Sequence, residues 1–222
     1  MRPQTWINRT LGWFEERLDI IGPLKEFLGR PVPPHVSHWM YCLGGITFFF
    51  GMVQGITGIL LTLYYRPTPG EAYQSILLIM NEVRFGWLIR SMHSWASSLM
   101  VIFAILHLIR VFVTGSFKAP RELNWIAGVF LGVLTLAFGY TGYLLPWDQR
   151  AYWASTVGTD IVGSVPFVGD LLLHLLRGGT DITALTLTRF YGGHILILPA
   201  VFVVALIGHF VMIHRQGISG PL

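Results

Sequence analysis

Four stretches of this 222-residue chain contain no Asp, Glu, Lys or Arg: Tyr41 to Tyr65, Ser91 to Ile109, Asn124 to Trp147 and Phe190 to His214. A helix rises 1.5 Å per residue and needs roughly 20 apolar residues to cross the hydrocarbon core of a bilayer, so each stretch is long enough to span one. Backbone polar groups find no water in that core, and only a helix satisfies them within a single segment of this length. The expected fold is therefore an all-α membrane protein, a four-helix bundle with spans of about 41–65, 89–113, 124–147 and 190–214. The connection between the third and fourth spans, Asp148 to Arg189, is long. Its "DIVGSVPFVGDLLLHLLRGG" is too short to cross and reads as interfacial helices. Before the first span, Trp13, Phe14, Leu18 and Ile21 stand at helical spacing, which predicts an amphipathic surface helix and no cleaved signal. No repeat or linker divides the chain, so 1–222 is expected to be one membrane domain.

Charge and cysteine content close off other classes. The net charge is only +4 and the basic residues are scattered through connections, which argues against nucleic acid as a partner. One cysteine excludes an intrachain disulfide framework. Nine bases fall on the side of the N-terminus, the second connection and the C-terminus: Arg2, Arg9, Arg17, Lys25, Arg30, Arg110, Lys118, Arg121 and Arg215. Six fall on the other: Arg66, Arg84, Arg90, Arg150, Arg177 and Arg189. The excess places both termini on the cytoplasmic, negative side.

Two of the spans carry paired histidines. His93 and His107 stand fourteen residues apart on the second, His194 and His209 fifteen apart on the fourth. At about 100° per residue, fourteen steps return to within roughly 40° of the starting direction and fifteen to within roughly 60°, so each pair shares a helix face. Each pair is also separated by about 21 Å along its axis. Both spans run in the same direction, so His93 is level with His194 and His107 with His209. Two levels with two imidazoles each fit two b-type haems, each iron taking two axial nitrogens. A lone intramembrane histidine is as readily a hydrogen-bonding group, but four at matched depth are not explained that way. Zinc fits poorly, because two ligands per level leave its shell short. Gly44 and Gly58 on the first span and Gly128 and Gly142 on the third repeat the fourteen-residue spacing, where missing side chains would admit a flat macrocycle. Arg90 and Arg110 stand near the two surfaces, where haem propionates would emerge.

The segments "WFEERLDI", "PPHV", "YCLGGIT", "YYRPT", "FGWLIRSMH", "KAPRELNWI", "GYTGYLLPWDQ", "LTRFY" and "HRQGISGPL" resemble those of the cytochrome b6 family, the four-helix haem subunits of quinol-oxidising b6f and related menaquinol complexes. The likeness runs from about Trp13 to Leu222. It implies that His93 and His194 ligate a haem near the positive side and His107 and His209 one near the negative side. Cys42 matches the cysteine that in this family holds a third, c-type haem by one thioether. Tyr143, Pro146, Trp147, Trp153 and Ala154 would form this chain's part of a quinol-oxidation pocket. The other part, with its "PEWY" signature, would come from a subunit IV-type chain. A Rieske iron-sulfur protein and a c-type cytochrome are the further implied partners, in a dimeric complex of the bacterial plasma membrane or thylakoid. "GITFFF" and "RELNWI" lean towards menaquinone rather than plastoquinone. Two positions depart from the family. Ser94 stands where photosynthetic members carry Arg, and His214 stands where the family usually has Arg, putting an imidazole in place of a permanent charge near the negative-side haems. His35, His38 and His174 read as surface histidines. A dihaem anchor of a dehydrogenase or hydrogenase would need neither Cys42 nor "LLPWDQ", and a proton-coupled transporter would use the histidines as relays without haem.

Overall fold

The computed structural model describes residues 38–219 without a break, together with scattered positions between 9 and 34. It separates into two compact units, Met1–Ser37 and His38–Leu222. In the first, the Arg17 guanidinium lies 4.2 Å over the Trp13 ring and donates to the Trp13 carbonyl at 3.0 Å. Phe14, Leu18 and Ile21, on which the amphipathic surface helix was expected, lie outside the described residues, as does His35.

The second unit consists of helices joined by turns, with no strand among its described residues. After a 3-10 turn at Trp39–Tyr41, whose Met40 amide donates to His38 Nδ1 at 3.4 Å, eight α-helices follow in order. They are α1 (Leu43–Thr62), α2 (Ala72–Asn81), α3 (Gly86–Val113), α4 (Glu122–Leu144), α5 (Gln149–Gly163), α6 (Gly169–Arg177), α7 (Ala184–Gly192) and α8 (Leu198–Gln216). A single π turn, Gly193–Ile197, welds α7 to α8. Four helical segments are long and apolar enough to span a membrane: α1, α3, α4 and the continuous Ala184–Gln216. Their limits differ by a few residues from the charge-free stretches, because Arg90, Arg110 and Arg189 ride inside helices. A long arginine stem does this at a membrane surface by bringing its charge to a partner, the His174 carbonyl for Arg189 and the Tyr41 ring for Arg110. The outward faces are apolar and open, with Ile59 at 69% and Val204 at 72% exposure. Such a girdle suits lipid rather than water.

The spans form a ring. α1 packs along α3, α3 against α4 and α4 against α8. Phe48 and Phe210 close the circuit between α1 and α8, edge to face at 5.2 Å. The two histidine-bearing helices, α3 and α8, are therefore held apart by the two glycine-bearing ones.

Short helices cover one end of the ring. α2, which the charge pattern of its connection did not reveal, turns into α3 through Phe85 in the left-handed region (φ 61°), and a side chain at Gly86 would overlap the Ile79 carbonyl. Only glycine permits that approach. α5 starts at Asp148, whose carboxylate accepts from the Ala151 amide at 2.8 Å, an N-cap. α6 lies within the stretch expected to form short interfacial helices, whereas α5 begins eleven residues before that stretch and only its last four residues enter it. Arg177 joins them: its buried guanidinium donates to Thr159 Oγ1 at 2.7 Å, Asp160 at 2.6 Å and the carbonyls of Thr156 and Thr180. Tyr65, Ala72, Ile79 and Leu187 form a small core at this end, and the Tyr65 hydroxyl donates to the Leu145 carbonyl at 2.6 Å, tying the first span to the third.

Candidate functional site

All four intramembrane histidines turn inward, and each lies against one of the four spaced glycines. A side chain at Gly44 would stand 3.0 Å from Cε1 of His107, and one at Gly58 would stand 3.4 Å from Cε1 of His93. On the opposite side Gly142 meets His194 at 2.8 Å and Gly128 meets His209 at 3.5 Å. The glycines thus make room for imidazole rings, where the spacing alone had suggested room for a macrocycle. His194 lies within electrostatic reach of His93, and His107 of His209, so the rings pair by level.

The π turn explains how fifteen residues on the fourth span match fourteen on the second. In a π turn the N–H of one residue reaches back five positions instead of four, and Leu198 donates to the Gly193 carbonyl in this way. One residue between His194 and His209 is thereby absorbed, and the pair returns to about the same 40° offset as His93 and His107. The roughly 60° offset of an uninterrupted helix does not apply. Pro199 supplies the local cause, since it has no N–H to donate and its ring crowds the carbonyl four residues back.

At the His93–His194 level two threonines hold the rings. Thr57, 4% exposed, gives its hydroxyl proton to the Val53 carbonyl at 2.6 Å, so its oxygen accepts from Nδ1–H of His93 at 2.8 Å. Thr141 repeats the arrangement, donating to the Ala137 carbonyl at 2.8 Å and accepting from His194 Nδ1–H at 2.9 Å. This fixes the tautomer and leaves Nε2 of each ring with a free lone pair. Gln54 adds a bond to the His93 carbonyl at 2.6 Å. No threonine serves the other level. Nδ1 of His209 is buried and makes no hydrogen bond of standard geometry, although the Asn124 backbone interacts with the ring, and the ring of His107 has no hydrogen bond among the described residues. Sequence reading passed over both threonines; the signal was a threonine immediately before a spaced glycine, at 57–58 and 141–142, whereas Leu precedes Gly44 and Ala precedes Gly128 and the remaining Thr-Gly, at 114–115, lies beyond the end of its span.

Beyond the histidines, Arg90 lies one turn before His93 and is half-buried. Arg110 is buried with its guanidinium 3.9 Å over the Tyr41 ring, and its Nε has no hydrogen-bond partner. Cys42 is an exposed free thiol at the cap of α1, two residues before Gly44. His214 sits in the last turn of α8, and His174 is exposed and pairs with Asp170 at 3.4 Å. At the covered end, Trp147 adopts φ 53° and opens a cavity of about 300 Å³ lined by Trp147, Asp148, Gln149, Tyr152 and Trp153. Two of the expected pocket residues, Trp147 and Trp153, line it. Tyr143, Pro146 and Ala154 do not. The Ala154 carbonyl accepts from Tyr140 at 3.2 Å, and Tyr143 is exposed beside it on α4. Asp148, Gln149 and Tyr152 enter because the left-handed turn at Trp147 swings the start of α5 around them.

Among the described residues no three of His, Cys, Asp and Glu converge. The nitrogen donors come in twos, which is the axial set of an iron already held by a macrocycle and too few for a bare ion. Glycine-backed rings with Nε2 free at one level, and the same glycine backing at the other, fit that role. These features, a four-helix membrane bundle with inward histidines paired at two depths, are those of a membrane cytochrome. The chain belongs to the cytochrome b/b6 family: the pattern of Cytochrome b/b6/petB matches residues 27–217. Cytochrome b6 of Synechococcus elongatus is 51% identical over 216 residues, 97% of this chain and 100% of that one. Cytochrome b6 of Porphyra purpurea is 51% identical over the same shares. A chain of a hyperthermophilic respiratory Complex III superposes with a TM-score of 0.85 at 29% identity over 95% of this chain, which spans only 56% of its length.

Proposed function

We propose that this chain is the cytochrome b subunit of a quinol:electron-acceptor oxidoreductase, binding two b haems and conducting electrons between the two faces of a membrane. The observation that carries the reading is the fourfold contact of histidine with glycine at two depths. The haems supply the one-electron stations; the chain supplies their axial nitrogens, His93 with His194 and His107 with His209. Their spacing of about 21 Å along each helix sets stations on both sides of the bilayer centre. A dihaem dehydrogenase anchor or a transporter gains no support from relatives that match over their whole length.

Quinol is oxidised at the covered end, where the cavity at Trp147 and Trp153 opens beside the His93–His194 level. The cavity is shallow, and a subunit IV-type chain completes it, with a Rieske protein and a c-type cytochrome taking the other electron. Both termini face the negative side, following the excess of bases there. At that end Cys42 binds a c-type haem through a thioether, which its exposure and its place near Gly44 and His107 favour. Arg90 and Arg110 meet propionates, and His214 exchanges protons with a reduced quinone. Menaquinone is the expected carrier.

The test is a pyridine haemochrome of the purified chain and a haem stain of the denatured gel, for wild type and Cys42→Ser. Two b haems per chain, with a stain that vanishes in the mutant, are expected. A chain without haem b refutes the reading, and a stain that persists in Cys42→Ser refutes the thioether.

A further inference from the structure

The two histidine levels differ in one respect that their shared glycine backing does not explain: threonine hydroxyls accept from both imidazoles at one level and from neither at the other. We infer that Thr57 and Thr141 are positioning residues that lower the electron affinity of the haem at the His93–His194 level relative to its neighbour. The inference rests on the haem reading above and adds a role for two residues that touch only the ligands.

The reasoning follows the protons. Each threonine spends its single hydroxyl proton on a carbonyl of its own helix, Val53 or Ala137, and its oxygen is then an acceptor. Nδ1–H of His93 and His194 must be the donor at 2.8 and 2.9 Å. A hydrogen bond that draws on Nδ1–H leaves Nε2 the more basic donor. A stronger donor favours the oxidised, more positive iron, so reduction becomes harder. At the other level Nδ1 of His209 lies by the Asn124 backbone without a hydrogen bond of standard geometry, and Leu43 and Ala127 occupy the places of the threonines, so the increment that a threonine acceptor gives is absent there. The difference drives electrons from the His93–His194 level towards the His107–His209 level. Thr57 and Thr141 also sit on the two different glycine helices, α1 and α4, so each acts on one ligand and their effects are separable.

The experiment is potentiometric titration of the b haems in membranes containing the full chain, for wild type, Thr57→Val, Thr141→Val, the double variant and the two serine variants. Haem content by pyridine haemochrome is measured first. Each valine is expected to raise the reduction equilibrium constant of one haem by about threefold to tenfold, tenfold being about 59 mV for one electron. The second haem is expected to hold its potential, the double variant to add the shifts, and serine to restore the wild-type value. Equal movement of both haems, no movement at full haem content, or failure of serine to restore would overturn the inference. So would loss of that haem from the valine variants with retention in the serine ones, since the hydroxyl would then place the ring rather than tune it. Absence of haem b from the wild type would instead overturn the reading beneath, before any potential is measured.

Discussion

Replacing Gly142 by alanine places a methyl carbon 2.8 Å from Cε1 of His194, where carbon atoms ordinarily rest about 3.5 to 4.0 Å apart. Something must yield by about 0.7 Å or more. The ring cannot turn aside freely, because the adjacent Thr141 holds its Nδ1 at 2.9 Å on the same helix. Overpacking of this kind costs about 1–3 kcal/mol, against about 1 kcal/mol that alanine gains over glycine in a helix interior. The clash therefore wins, and it is relieved by displacing the ligand. Gly128→Ala is the control: its methyl meets His209 at 3.5 Å, an ordinary contact, and the helix gain stands. Gly44→Ala falls between, at 3.0 Å from a ring that no hydrogen bond restrains among the described residues. Haem b content per chain, read from dithionite-reduced spectra, is expected to fall most for Gly142→Ala, less for Gly44→Ala and little for Gly128→Ala. Full haem content in Gly142→Ala with loss in Gly128→Ala would refute the argument that ring contact governs these positions.

Removing His209 by alanine is expected to delete one b haem and leave the other, as seen in low-temperature spectra; loss of both in a folded chain would break the pairing by level. Arg177→Leu strips a buried cation from Thr159, Asp160 and two carbonyls, a loss of about 3 kcal/mol, and is expected to show as faster proteolysis between α5 and α7 with haem content unchanged. Burial, and secondarily Tyr191, hold the Tyr65 hydroxyl above the usual tyrosine range. Its neutral form is thus favoured in the fold, a contribution fully present below about pH 10 and lost as pH rises further. Tyr65→Phe is expected to lower thermal stability by about 1–2 kcal/mol near neutrality and to flatten the alkaline decline, measured by unfolding in detergent.

The spans were legible because hydrocarbon tolerates so few charges that their absence marks each helix. Their ends were less so, since an arginine can lie inside a helix where its head finds a partner, as Arg110 does over the Tyr41 ring and Arg189 at the His174 carbonyl. Spacing identified which histidines and glycines share a level, but spacing gives depth and direction on one helix, not the neighbour across the gap. That the glycines face imidazoles is a packing fact. α2 was missed because a ten-residue interfacial helix leaves a weak pattern beside charged flanks. Asp148, Gln149 and Tyr152 were missed as cavity residues because the left-handed turn at Trp147 is a feature of the backbone, on a residue type that rarely adopts it.

The π turn at Gly193–Ile197 gives the fourth span a length that can change without consequence elsewhere. Deleting one residue from that turn would remove the extra residue and leave open only the bond that Pro199 cannot donate, with His194 and His209 fourteen apart and still facing the same way. Everything upstream, including the interfacial helices, and everything downstream to the C-terminus would stay where it is. The turn works as an expansion joint: bundles built to the same plan can differ by one residue here, and the count between ligands can drift while the sites they serve do not move.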